Sequence, residues 1–242
     1  MKNTNKHKNI LVFANDAGSS AYICSIISNE SNLFKWIVYV KEGSPALTEF
    51  KRNKIKYNKF YNVDEIGEII KEQKPEIIFY GTGWLDFSKT IKENIKKLNI
   101  TTIALIDHWG RYKIRFSANA LPDAILVMDD DAYNIAEDTF NSEVNIFQIR
   151  NYYIENIISQ YSLIKKKKQD CIVFISEPTG VKKNNHEFIK YEYDFLKDIL
   201  KMFKKVVIRL HPTEHRNKYD EIILMFPSNQ IKVIETNEES LV

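Results

Sequence analysis

An α/β fold with mostly parallel sheets is what this sequence predicts, and three observations carry the prediction. Short, continuously apolar runs, such as residues 10–14 and 124–128, read as strands buried on both faces. Amphipathic segments of helical length lie between such runs, so strand and helix alternate. The alternation restarts after a run of lysines at 165–168, which divides the chain into two Rossmann-like domains.

The elements follow in order. Residues 10–14 form the first strand. The turn-rich stretch Asn15-Asp16-Ala17-Gly18-Ser19-Ser20 leads from it into a helix over 21–28. After a strand over 36–40, Pro45 opens a helix ending at Arg52, with Ser44 as its cap. Residues 56–61 make a weak strand, and Asp64 caps a helix to Lys74. A strand over 76–80 is broken by Gly81-Thr82-Gly83. The helix over 86–98 places Phe87, Ile91, Ile95 and Leu98 on one face. Strands over 101–106, 124–128 and 144–149 follow, with a helix over 130–140 between the last two.

A connecting helix spans 151–163. The second series then has a strand over 171–175, a loop over 177–185 holding Pro178 and Gly180, a long helix over 187–203 and a strand over 206–210 ended by His211-Pro212. A helix over 216–225 and a strand over 231–234 complete it, with Asn237 or Ser240 placed to cap a further helix. The expected organisation is a first domain over 1–150, a connector over 151–169 and a second domain over 170–242. Three parallel strands make a thin sheet with an exposed edge, so the second domain reads as incomplete.

Composition narrows the function classes. The 242 residues are 44% hydrophobic, enough for a substantial core throughout, and the aromatic share of 12% argues against disorder. A net charge of +3 gives no general case for nucleic-acid binding. Cys24 and Cys171 lie in apolar runs and read as buried thiols rather than a disulfide or metal site. No apolar run approaches the roughly 20 residues of a membrane span, and the polar start lacks a signal-peptide core. A cytoplasmic location is expected. The lysine run reads as a solvated linker or as a weak peripheral attraction to an anionic inner-membrane surface.

In an open parallel sheet, ligands bind at the carboxyl ends of the strands. Four segments there carry unusual chemistry. In the first, Gly18 and Ser19 let an anion approach a helix N-terminus, and Asp16 is either a helix cap or a general base. The dinucleotide fingerprint G-x-G-x-x-G is absent. In the second, Gly81 and Gly83 allow close approach of a substrate, with Trp84 either stacking on a sugar or base or packing in a tight turn. The third is the densest: Asp107, His108, Trp109, Arg111, Tyr112, Lys113, Arg115 and Phe116 directly follow a buried strand, where charged and aromatic side chains have no evident core role and form either a binding segment or a surface loop with an aromatic anchor. Its arginines suit phosphate contact and His108 suits acid–base work. The fourth is Arg209-Leu210-His211-Pro212, with Glu214 and His215 behind it; the proline fixes the turn that holds His211. The histidine spacing matches no metal pattern, so no metal or other cofactor is expected.

These segments resemble a known group. Arg209-x-His211-Pro212 after a second-domain strand is similar to the His-Pro signature of GT-B-type bacterial surface-polysaccharide glycosyltransferases, among them sialyl-, polysialyl-, Kdo and teichoic-acid transferases. Asp107, His108, Trp109, Tyr112, Arg115 and Phe116, followed by Leu121-Pro122-Asp123, resemble a segment of surface-carbohydrate biosynthesis proteins. Arg150-Asn151-Tyr152 departs from the Gly-Asn-Pro usual in that group. The resemblance implies a GT-B-like pair of domains, acceptor side first and donor side second, with a cleft for both substrates. It implies a nucleotide-sugar donor whose phosphates meet His211, and a glycan or lipid-linked acceptor deprotonated by Asp16 or Asp107. Two other readings stand beside a transferase: a nucleotide-sugar epimerase or hydrolase on the same scaffold, and a truncated, non-catalytic glycan- or partner-binding protein.

Overall fold

Every strand predicted from an apolar run is present, and every pairing between strands is parallel. The computed structural model describes residues 8–83, 87–95, 98–116, 120–163, 171–176, 186–212 and 214–235. Trp84, Asp86, the lysine run at 165–168, Pro178, Gly180, Asn237 and Ser240 lie outside the described residues. The chain divides into two units, Met1–Gln160 and Tyr161–Val242.

The first unit is a seven-stranded sheet. Its strands are β1 (Asn9–Ala14), β2 (Lys35–Lys41), β3 (Asn58–Phe60), β4 (Ile77–Gly81), β5 (Thr101–Leu105), β6 (Ala124–Val127) and β7 (Asn145–Gln148), in the order β3-β2-β1-β4-β5-β6-β7. Side chains alternate across a strand, so each inner strand feeds two cores. Val12 and Ala14 pack with Ile23, Cys24 and Ile27 of α1 (Ala17–Asn29) and Phe50 of α2 (Ala46–Arg52). Leu11 and Phe13 face the other way. They join the core formed with Ile66 and Ile70 of α3 (Ile66–Gln73), Ile91 of α4 (Phe87–Ile95) and Phe140 of α5 (Asp130–Phe140). Helices on both faces explain why the strands are continuously apolar. On the α1 face a groove of about 270 Å³ is lined mainly by apolar side chains, including Ile10, Trp36, Phe79 and Leu126.

The second unit orders its strands β10-β9-β8, with β8 at Ile172–Ile175, β9 at Val206–Arg209 and β10 at Ile231–Ile234. Its core joins Phe174 and Ile208 to Leu196 and Leu200 of α7 (His186–Met202), which follows α6 (Tyr152–Leu163) in the chain. No helix among the described residues is long and apolar enough to cross a membrane.

Local chemistry shifts several expected boundaries. α1 begins at Ala17, four residues early, because the Asp16 carboxylate caps it. Ser44 does not cap α2; its hydroxyl donates to the Lys41 carbonyl, and Pro45 takes the cap position. A short 3-10 turn, Val63–Glu65, precedes α3, and Glu65 rather than Asp64 accepts the N–H groups of Tyr61 and Asn62. Leu98 is exposed beyond the end of α4. The helix expected over 216–225 is a 3-10 turn, Arg216–Tyr219, followed by the single turn α8 (Asp220–Ile223). Cys24 is buried as expected and its thiol is pushed up to about 12 by desolvation, whereas Cys171 is only half-buried.

Candidate functional site

The strand order creates a crevice. From β1 the chain winds outward through β2 and β3, then returns to β4 on the opposite side of β1. The connections leaving the carboxyl ends of β1 and β4 therefore diverge, and the gap between them is where open α/β sheets take ligands. Asn15 and Asp16 follow β1, Thr82 and Gly83 follow β4, and Asp107 and His108 follow the neighbouring β5.

Asp16 sits at the centre of this crevice. Its carboxylate accepts from the Ser19 N–H at 2.9 Å and from the Ser19 hydroxyl at 2.6 Å. Gly18 and Ser19 are the residues expected to meet a donor phosphate. They lie in the first turn of α1, and the two Ser19 donors already hold a carboxylate. The glycines follow from close approach. A Cβ at Gly18 would lie 2.2 Å from Asp107 Oδ2 and 3.6 Å from Asp16 Oδ1, so both carboxylates flank one spot beside the α1 backbone. A Cβ at Gly83 would lie 2.4 Å from Asp16 Oδ2 and 2.7 Å from Asn15 Oδ1. Gly81, the last residue of β4, abuts Ser19 Oγ.

Arg115 fastens the β5 segment to the β4 loop. Its Nη1 donates to the Thr82 carbonyl at 2.5 Å and to Thr82 Oγ1 at 3.0 Å, and it stands 3.7 Å from Asp107 Oδ1. Thr82 in turn donates its hydroxyl to the Leu105 carbonyl at 2.9 Å. Desolvation raises the Asp107 pKa, the Asp16 charge raises it further, and Arg115 opposes both. Burial and then the Arg115 charge lower the His108 pKa. The His108 Nδ1 accepts from the Gly110 N–H at 3.1 Å, which leaves Nε2 as the protonated nitrogen of the neutral ring. The site therefore holds a carboxyl group with raised proton affinity beside a neutral imidazole.

The rest of this segment divides between core and surface. Tyr112 and Phe116 are buried, and Tyr112 stacks on Phe140 with ring centroids 6.4 Å apart. Tyr112, expected from the sequence to bind substrate, has its ring in the core. Its phenol is pushed up to about 12, mainly by desolvation. Trp109 is 59% exposed, and its Nε1 donates to Asp129 at 2.9 Å. Asp129 also caps α5 through the Ala132 N–H at 2.8 Å, so the indole is anchored at one edge with its face open. Arg111 is exposed, with φ of 59° in the left-handed region.

In the second unit, Arg209 is buried at the end of β9 and His211 is half-buried just beyond it. The His211 backbone N–H donates to Glu214 Oε2 at 2.9 Å. That oxygen also accepts from the Ser176 hydroxyl, which follows β8, at 2.5 Å. Lys218 pairs with Glu192 at 2.7 Å and with Glu214, and the Tyr219 hydroxyl donates to Glu192 at 2.7 Å. This hub ties the residue after β8 to the turn after β9.

Sequence reasoning missed Asn15 as an individual site residue, Thr82, Asp129 and most of the hub. Thr82 lay between two glycines already singled out, but Ser176, Glu192 and Lys218 carry no local signal of their convergence. Among the described residues, no group of three or more His, Cys, Asp or Glu is arranged to hold a metal ion.

No protein-family model matches the chain, and no curated protein matches it in sequence. The likeness to known proteins is three-dimensional. The chain is similar to a UDP-GlcNAc 2-epimerase from Neisseria meningitidis bound to UDP-GlcNAc, with a TM-score of 0.65 and 14% identity over 95% of this chain and 73% of that one. HepE of Anabaena in complex with UDP-glucose gives a TM-score of 0.59 at 11% identity, over 95% of this chain and 69% of that one. MurG of Acinetobacter baumannii gives 0.53 at 11% identity, over 96% and 69%. At such identities the shared property is the fold, and this chain has the Rossmann-like α/β units of GT-B-like proteins.

Proposed function

We propose that this protein binds a nucleotide sugar and transfers its sugar to a glycan or lipid-linked acceptor in surface-polysaccharide biosynthesis, capsule or lipopolysaccharide. The observation that carries the reading is the pair Asp16 and Asp107, whose carboxylates come together beside Gly18 at the carboxyl ends of β1 and β5. Burial and the neighbouring Asp16 charge raise the proton affinity of Asp107, the direction a general base needs, with Arg115 opposing them. On this reading Asp107 or Asp16 takes the acceptor's proton, and neutral His108 donates a hydrogen bond from Nε2. Gly83 leaves room for the sugar and Gly81 lets Ser19 close in behind it, while Trp109 and Arg111 offer an open ring and an exposed cation at the rim. Arg209 and His211 meet the donor phosphates. The ligands in similar structures, UDP-GlcNAc and UDP-glucose, support a uridine nucleotide sugar as the first candidate.

A second reading has a specific motive. Two carboxylates flanking one spot also suit removal and return of a proton on a single sugar, and an epimerase is among the similar structures. Product analysis with and without an acceptor separates the two: transfer requires the acceptor, epimerisation does not.

The direct test is thermal shift and calorimetry with UDP-, CDP- and GDP-sugars. At least one is expected to raise the Tm, and to go on raising it with the logarithm of its concentration above Kd. His211→Ala is expected to weaken that binding roughly tenfold, the loss of one charge-assisted contact. Folded protein that answers to none of these nucleotides would overturn the proposal.

A further inference from the structure

We infer that Asn15 is a specificity-determining residue whose Oδ1 accepts a hydrogen bond from a ring hydroxyl of the bound sugar; the inference rests on the nucleotide-sugar reading above. Asn15 is 7% exposed, and its Oδ1 has no hydrogen-bond partner among the described residues. A buried acceptor without a donor is costly, and native proteins keep few of them. Here the placement supplies a reason. The Oδ1 and Asp16 Oδ2 converge on the side of Gly83 where a Cβ would be, so any other residue at 83 would block the space they share.

The chemistry of the same cluster narrows the ligand. Arg115 Nε is likewise buried without a partner among the described residues, although Nη1 of the same guanidinium is held by Thr82. One unsatisfied acceptor and one unsatisfied donor therefore accompany the two carboxylates. A phosphate only accepts hydrogen bonds, so it would leave Asn15 unsatisfied and would face Asp16 and Asp107 with like charge. Hydroxyl groups both donate and accept. A neutral polyol, the sugar ring, answers Asn15, the carboxylates and Arg115 together, while the nucleotide phosphates fall to other residues.

The test compares UDP with UDP-GlcNAc and UDP-glucose by calorimetry on the wild type, Asn15→Ala and Asn15→Leu. The expected result is a roughly tenfold loss of affinity for the sugar nucleotide that the wild type prefers, with UDP unchanged. The near-isosteric Asn15→Leu removes the unpaired acceptor, so its ligand-free Tm is expected not to fall. On the wild type alone, one mono-deoxy analogue of the preferred sugar nucleotide is expected to bind roughly tenfold more weakly, and Asn15→Ala to be indifferent to that deletion. Equal weakening toward UDP and UDP-sugar, an unchanged ratio, or tolerance of every deoxy position overturns the inference. Wild-type protein that binds UDP but gains nothing from the sugar overturns it while leaving nucleotide binding intact. Binding of neither UDP nor any UDP-sugar removes the functional reading itself, and the inference with it.

Discussion

Asp107 owes its raised proton affinity to two causes of different origin. Desolvation comes from its place after a buried strand, and the second contribution comes from the Asp16 charge across the crevice. Asp16→Asn removes only the second. Since Asn is as good an N-cap as Asp, α1 should keep its start. The Asp107 carboxyl should then titrate closer to the ordinary value of about 3.9, as read by side-chain carbon NMR. The stability consequence follows from the direction of the shift. A carboxyl whose pKa is raised on folding favours the folded state below its unfolded pKa, and that contribution is lost as the pH rises through the folded value. Ionised Asp107 is therefore a cost at neutral pH, and Asp16→Asn should leave the Tm at pH 7 unchanged or higher. At this scale the sequence showed that Asp107 and His108 follow a buried strand. It did not show that Tyr112, only five residues on from Asp107, turns back into the core against Phe140, because that contact spans two elements.

Caps and hubs decide matters at the scale of elements. Asp129 both starts α5 and holds the Trp109 indole. Asp129→Ala should cost about 1 kcal/mol through the lost cap, measured by urea unfolding, and should change the Trp109 fluorescence as its N–H loses a partner. Asp16 works in the same way: its cap starts α1 at Ala17, inside a run of small polar residues that by composition alone reads as a loop. In the second unit, Lys218 is the cation between Glu192 and Glu214, and all three side chains are largely buried. Lys218→Ala removes the positive charge that pairs with both carboxylates in a largely buried site, and about 3 kcal/mol of stability should be lost. Chemical denaturation followed in the second unit's tyrosines would record it. Ser176, Glu192 and the Glu214–Lys218 pair come from three places in the chain, so only the i,i+4 spacing of that pair was local and the convergence of the rest was not.

Over the whole molecule, the cores are separate. The first unit encloses its sheet between two hydrophobic clusters built from residues up to Tyr152, and the second has its own around Phe174, Leu196 and Ile208. A fragment spanning residues 1–160 is accordingly expected to fold alone, giving native-like circular dichroism, a dispersed amide NMR spectrum and one cooperative thermal transition. A fragment lacking these would show that the first unit depends on the second. The sequence by itself determined the class of the fold and the succession of strands and helices. Burial on both faces imposes continuous apolar runs, and burial on one face imposes a helical period, and both are local signals. It also placed Asp16, Gly81 and Asp107 at strand ends. Only the tertiary structure decided that these ends meet, since the order β1-β4-β5 brings residues about ninety positions apart to one crevice. Strand order depends on long-range pairing and the hand of the crossovers, which no short stretch of sequence encodes.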